Sequence, residues 1–344
     1  MVSSEVLQVA CDESGAEGEN VAMSHHRVLS HGSVDLTIGE AGAVMAELRE
    51  RTGSRARELK SDAIVSRPHV VEWLLSDAGP LLGRAEIVLV DKQYFLVAKV
   101  VDLLIEELAH SRGENLYAGD KARRMAWALF REGKRDLGEE LWTEMLQVFN
   151  SLMRMKQRKG TKATVDEFFD VVERAHRRSR RRAVSDLLAK VAATRTHADE
   201  FQRFIIENPQ VSPSLDPLVA AITVTARSWA GRSRRAFELL HDEQAMLTPS
   251  CVEETVSTLR RPPREFLLLA PPVQIRDIVL ADSRTDERIQ VADVVAGVGR
   301  WAGLASLEGD YGPAKVVRPF ISRESLWADI PTFRVLTGRK EPGG

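Results

Sequence analysis

The spacing of apolar residues changes character twice along this chain, and that limits the folds open to it. From Lys99 to about Trp229 nearly every segment repeats its apolar residues at helical spacing, with almost no β-branched clusters. The flanking stretches hold short apolar runs of the strand type. Before the helical stretch these are Val6–Cys11, Asn20–Ser30 with imperfect alternation, and Glu86–Val90; Ser33–Ile38 reads as a short strand or a lead into a helix. Arg235–Leu240 and Gln274–Ala281 follow it.

Helices are expected at Gly39–Thr52, where Gly53 is a stop signal, and at Pro68–Asp77, where proline occupies the first turn. In the middle they are expected at Val100–Ala109, Lys121–Arg131, Leu137–Lys156, Thr164–Thr194 and Ala198–Glu207. Ser250–Arg260 and the Gln290 region complete the set. After Trp301 the chain reads as irregular, and Lys340–Gly344 as a loose tail. No fixed period of self-similarity marks a repeat array. The pattern predicts an α/β fold, a mixed sheet flanked by helices, with a large inserted α-helical subdomain. Residues 1–110 and 231–305 are the two parts of the core, 111–230 the insert, and 306–344 a C-terminal extension and tail.

A chain of 344 residues, 44% hydrophobic and 28% charged, has room for one domain with a large insert. No run of ~18 apolar residues is present, so no membrane helix is expected. The N-terminus has no basic segment followed by an apolar one, and Cys11 and Cys251 make neither a ligand spacing nor a disulfide framework. These features predict a reduced, cytoplasmic protein without a membrane partner.

Acids stand where a site is expected. Four candidate strands finish in Asp12, Asp91, Asp242 and Asp282, and functional groups in open α/β sheets gather beyond the carboxyl ends of strands. A single such ending is commonly a turn residue or a helix cap. A set of four points to a site. Far along the chain, Gln290, Asp293 and Gly297 form a polar stripe on a helix whose Ile289, Ala292, Val295 and Ala296 face a sheet. An Asp in so apolar a segment is disfavoured unless it is paired or ligating. Mg²⁺ and Mn²⁺ take hard oxygen ligands, and two such ions about 4 Å apart support phosphodiester hydrolysis.

The net charge of −2 hides an uneven distribution. Base concentrates in 151–182, at Arg154, Lys156, Arg158 and Lys159 and then at Arg174, Arg177, Arg178, Arg180, Arg181 and Arg182. A solvated helix face explains such a run as readily as phosphate contact does. Glu58 and Lys60 lie between the two N-terminal helices; Lys60 and Lys92 are candidates to contact phosphate or to balance acids. His25-His26 reads as strand surface, and His241 beside Asp242 is a weak signal. No Gly-rich phosphate loop, nucleophile elbow or EF-hand loop is present.

VACDESG near the N-terminus, ELK at Glu58–Lys60, IVLVDK at Ile87–Lys92, and IVLADS followed by QVAD at Gln290–Asp293 resemble the bacterial family called domain of unknown function 3800. That family is marked by a DES motif near the start and a Q-x-A-D motif near the end, and looks like a branch of the ribonuclease H-like fold. The resemblance covers Val6 to about Ala109 and Phe237 to about Ala302. It implies a mixed sheet of five or more strands flanked by helices. It also implies metal ligands at Asp12, one of Asp91 or Asp242, and Asp293, with Glu13 and Glu58 as additional acids. Asp282-Ser283 is equally suited to orienting the following helix.

Together these readings predict a metal-dependent nuclease acting on DNA or RNA with Mg²⁺ or Mn²⁺. Asp12, Glu13, Asp91 and Asp293 are the catalytic candidates, and Asp12, Asp91, Asp242 and Asp293 the metal candidates. Lys60, Lys92, Gln290, Arg177, Arg178, Arg181 and Arg182 are the substrate-binding candidates, with Glu58 and Asp282 as further acids. The insert is a candidate surface for a homo-oligomer or a partner protein. The rival readings are a non-catalytic nucleic-acid- or protein-binding module on the same fold, and a metal-dependent hydrolase of a small phosphate substrate.

Overall fold

The structure, a computed structural model, describes residues 6–56, 59–154, 162–207, 215–233, 235–261 and 272–338, with the backbone alone at 201 and 204–206. The chain begins with β1 (Leu7–Ser14), β2 (Val28–Val34), α1 (Ile38–Thr52), α2 (Asp62–Val65), α3 (Pro68–Leu75) and β3 (Ala85–Asp91). A helical stretch follows, with α4 (Lys92–Val100), a π-helical turn at Val101–Glu106, α5 (Glu107–Ser111), α6 (Lys121–Leu137) and α7 (Glu139–Met153). It continues through α8 (Val165–Arg178), α9 (Arg182–Ala192), α10 (Arg195–Glu207) and α11 (Pro217–Arg232). The chain then returns to the sheet with β4 (Phe237–Asp242), α12 (Pro249–Arg260), β5 (Ile275–Ala281) and α13 (Glu287–Leu307), and closes with α14 (Gly312–Val317) and α15 (Ile330–Thr337).

The five strands form one mixed sheet in the order β3-β2-β1-β4-β5. β2 runs antiparallel to both β1 and β3, while β1, β4 and β5 are parallel. The carboxyl ends of β1, β3, β4 and β5 therefore share one edge. Residues alternate between two cores, as strand geometry requires. Ala10, Ile87, Leu89 and Leu240 join a core with α1, α3, α13, α14 and α15. Val9, Cys11, Val88, Val90 and Leu239 join a second core built from the helices between β3 and β4, together with α12. Those helices thus share one apolar interior with a sheet face. The helical run starts at Lys92, so the expected boundary at 110/111 falls inside α5.

Several local expectations need correction. β1 continues past Cys11 through Asp12 and Glu13 to Ser14, because β2 offers Gly32, His31 and Ser30 as partners for these three. Of Asn20–Ser30 only the last three residues are strand; Val21–Met23 form a 3₁₀ turn. Thr164–Thr194 is two helices: Asp136 accepts the Arg180 and Arg181 amides and the Ser179 hydroxyl, holding the chain extended between α8 and α9. The chain after Trp301 is not irregular: α13 runs on to Leu307 and α14 and α15 pack against it. The expected tail at Lys340–Gly344 lies outside the described residues. α1 forms as read, with a Thr37–Glu40 capping box and Gly53 closing it at φ 68°.

The packing that sets the site is α13 on β1 and β2. A Cβ on Gly32 would collide with the Ala292 carbonyl oxygen and lie 2.6 Å from the Ala296 nitrogen. Both are backbone atoms of α13, which the helix's own hydrogen bonds hold in place. Helix and strand approach that closely only because position 32 has no side chain. Gly32→Ala is expected to destabilise the protein by about 1–3 kcal/mol, the usual range for overpacking a close-packed interior. Denaturant unfolding measures it, and an unchanged midpoint would show that α13 can shift.

Candidate functional site

Asp12 lies opposite Gly32 in the β1–β2 register, and the Cβ direction at Gly32 points into α13. Asp12 therefore faces α13 as well. Cys11 pairs with His241 across β1 and β4, which sets the next residue of each strand, Asp12 and Asp242, side by side on that same face. α13 crosses above and supplies Asp293. Glu13 points to the other face, where it meets α11 and its N-cap residue Asp216.

The charges of these groups are felt mutually. Asp12 is 7% exposed, and burial, Glu13 and Asp293 hold its carboxyl well above the ordinary carboxylate range, with a smaller push from Asp242. Burial raises Glu13 in the same direction, followed by Asp242, Asp216 and, more weakly, Asp293. Asp216 is raised by burial, and its Oδ2 is buried without a hydrogen-bond partner while Oδ1 caps α11 through the Leu218 amide. Among the described residues no lysine or arginine pairs with Asp12, Glu13 or Asp242. Five carboxylates from β1, β4, α11 and α13 thus gather at one edge of the sheet.

A pair of histidines underlies Glu13. The rings of His31 and His241 stack with centroids 5.2 Å apart, and both residues are 0% exposed. The His31 Nδ1 lies 2.8 Å from the Thr225 hydroxyl of α11. The His241 Nδ1 lies 2.8 Å from the Asp242 carbonyl oxygen, which can only accept, so Nδ1 carries the proton. Burial lowers both imidazoles and keeps them neutral. The His241 Nε2 is then a bare acceptor 3.7 Å from Glu13 Oε2, and neither atom has a hydrogen-bond partner. A protonated Glu13 matches a neutral His241. The two shifts, one up and one down, describe the same arrangement.

The other expected site residues fall elsewhere. Asp91 is 0% exposed, caps α4 through the Gln93 and Tyr94 amides and pairs with Arg27 at 3.0 Å. It is a structural cap two strands away from β1, and Asp242 is the acid that joins Asp12. Asp282 is held by Arg284 at 2.7 Å. The Gln290 amide is spent on α1 and the β5–α13 loop, accepting from Arg49 and donating to the Ser283 carbonyl, so it ties elements together and does not face a substrate. Gly297 accommodates Ser61. Lys92 is buried and donates to Glu17 and Ser24, and burial lowers its pKa. Lys60 is exposed ahead of α2. Glu58 lies outside the described residues, as do Lys156, Arg158 and Lys159. In the basic run, Arg174 pairs with Glu144, Arg177 with Glu173, Arg181 with Glu132 and Arg182 with Asp186. Arg178 lies beside Gly138. Sequence reading did not single out Asp216 or His31. The Asp-Pro start of α11 was the one available signal for Asp216.

No protein-family model, curated protein or solved structure matches the chain.

The raised carboxyls make stability depend on pH. Asp12 and Glu13 bind protons more tightly folded than unfolded, so the folded state carries more protons from about pH 4, the ordinary carboxylate value, up through neutral. Stability in chelator is expected to fall as pH rises through that window. Asp12→Asn removes the cost of that raised carboxyl and is expected to raise the melting temperature in chelator at pH 8, by about 1–2 °C per kcal/mol relieved for a chain of this length. Thermal melts of both proteins across pH check this; a variant that melts lower than wild type at pH 8 would contradict it.

Proposed function

We propose that the protein is a metal-dependent phosphodiesterase of the nuclease type. The observation that carries this reading is the gathering of Asp12, Asp242 and Asp293 on one face of the sheet edge, with Glu13 beside them and Asp12 buried. Such a cluster is costly to the fold on its own, since like charges in low dielectric repel. It is explained if a divalent cation neutralises it.

The donor set fits that role. All the groups are hard carboxylate oxygens of the kind Mg²⁺ and Mn²⁺ select. Asp12, Asp242 and Asp293 are the residues that would hold the ion. Among the described residues no three carboxylate or imidazole side chains stand close enough to share an ion, so binding would require them to draw inward. A bound ion would supply an activated water and charge stabilisation at a phosphoryl oxygen. The chain's own part is to place these acids on a rigid edge and to shield them from bulk water. Glu13, 3.7 Å from His241, would hold a proton there at neutral pH. A five-stranded mixed sheet with the first acid on β1, another on a later strand and the last on a C-terminal helix agrees with the ribonuclease H-like arrangement that the DES and Q-x-A-D resemblance implies.

One observation favours the smaller-substrate reading as an alternative. A cavity of about 840 Å³ between α4, α6, α11 and α12 is lined by Tyr94, Phe95, Tyr117, Arg123, Arg227 and Asp216. Its volume suits a small ligand, and Asp216 connects it electrostatically to Glu13.

Asp12→Asn and Asp293→Asn are each expected to reduce Mg²⁺- or Mn²⁺-dependent cleavage of DNA or RNA oligonucleotides by about 10²-fold or more, the scale of losing an electrostatic group at the reacting centre. Both should stay folded by circular dichroism. Calorimetric titration with Mn²⁺ should show weakened binding in both. Cleavage by the wild type that persists in chelator would remove the metal from the reading. Turnover of mononucleotides with oligonucleotides untouched would move the assignment to the small-phosphate alternative.

A further inference from the structure

β1 ends at Ser14, and Gly15 turns the chain with φ +86°. That turn brings the chain against Arg300 of α13: a Cβ on Gly15 would lie 2.9 Å from Arg300 Cδ and closer still to the Val28 carbonyl oxygen. Arg300 follows Asp293 by seven residues on α13, two turns on and roughly 10 Å along the axis, on the same helix face. It therefore stands at the rim of the carboxylate cluster, on the element that carries one of the cluster's own acids.

The guanidinium is under-used. Its Nη1 lies 3.3 Å from the Nδ1 of the exposed His26. Its Nε is buried and has no hydrogen-bond partner. Arg300 makes no ion pair with any acid among the described residues. Its cationic neighbour Lys92 is already held by Glu17 at 3.3 Å and by Ser24, and the two positive charges oppose each other. A guanidinium with a buried N–H left open and no counter-charge is costly unless an anion completes it. The Nε edge is shielded in this rotamer; when the side chain swings outward, Nε and the adjacent Nη form the two-pronged fork that matches phosphate oxygens. A cluster of carboxylates repels a phosphate substrate, so a cation at the rim is what such a site needs to hold one.

We propose that Arg300 is the phosphate anchor of this site, gripping a phosphate of the substrate next to the one positioned at Asp12 and Asp293. The assignment rests on the nuclease reading for its biological substrate, but the anion site itself rests on the Arg300 geometry. The basic run of α8 and α9, by contrast, is occupied with Glu132, Glu144, Glu173 and Asp186.

The test uses the full chain carrying Asp293→Asn, in chelator, so that binding is read without cleavage. One probe is a short fluorescein-labelled single-stranded oligonucleotide, in DNA and RNA forms, titrated across salt concentrations. The other is inorganic pyrophosphate, read as a rise in melting temperature. Arg300→Gln is expected to weaken oligonucleotide binding by about tenfold, the order of one charge-assisted contact, to flatten the log–log salt slope by about 0.7 for the lost phosphate contact, and to abolish the pyrophosphate shift. If the oligonucleotide does not bind but pyrophosphate stabilises the Asp293→Asn parent through Arg300, the anion site stands and the nucleic-acid reading falls. If Arg300→Gln binds both probes as well as its parent, or if neither probe binds the parent, the proposal is overturned. Should Arg300→Gln fail to fold, His26→Glu places a competing carboxylate beside the guanidinium from an exposed position. It is expected to weaken both probes, and unchanged binding there overturns the proposal equally.

Discussion

The site depends on how closely α13 lies over β1 and β2. That distance is set by Gly32 below and by small residues on the helix above, Ala292 and Ala296, whose backbones meet the strand where a side chain would stand. Asp293 sits between them on the helix, and Asp12 is the cross-strand neighbour of Gly32. Two residues at opposite ends of the sequence are thereby held at one sheet edge by backbone-to-backbone contact. Precision of this kind is available from packed secondary structure and not from loops.

The sheet then divides chemistry between its faces. Strand alternation sends Asp12 and Asp242 toward α13 and Glu13, His31 and His241 toward α11. The first face gathers Asp12 and Asp242 under Asp293, and Asp12 is held above the ordinary carboxylate range by burial and its acidic neighbours. The second holds a carboxyl and two imidazoles that are all neutral when buried. The helices between β3 and β4 are what make the second face dry: they pack on it as one continuous core, and α11 contributes both Thr225 to His31 and Asp216 to the rim. Their role in the site is direct, through burial.

Much of this was legible from residue patterns, and the failures have physical causes. Asp12 and Asp293 stood out because each interrupts an apolar run, where an ionisable group needs a reason. Asp91 gave the same signal and serves a different end. An aspartate that closes a strand and opens a helix reads alike whether it ligates or caps, and here Gln93, Tyr94 and Arg27 claim it. Gln290 misled similarly: its place on the polar stripe was read as substrate-facing, whereas α1 and the β5–α13 loop lie on that side. His31 gave no signal, since a histidine in a strand flanked by Ser and Gly reads as surface. It is buried because the helices between β3 and β4 cover that face, which no local pattern in β2 announces. The break between α8 and α9 is fixed by Asp136, more than 40 residues earlier, so periodicity ran straight through it.

The His241–Glu13 contact links the two faces. With Nδ1 committed to the Asp242 carbonyl, His241 presents a bare Nε2 toward Glu13, and the backbone of the residue that supplies an acid to one face fixes the tautomer on the other. Ionising Glu13 would set a carboxylate against a lone pair as well as against Asp242, Asp216 and Asp293. Neutral Glu13 relieves all of these at once. The cluster on the α13 face is therefore spared one negative charge by a hydrogen-bonding constraint located beneath the sheet. That relief follows from one carbonyl oxygen, one ring orientation and the two-residue alternation of a strand.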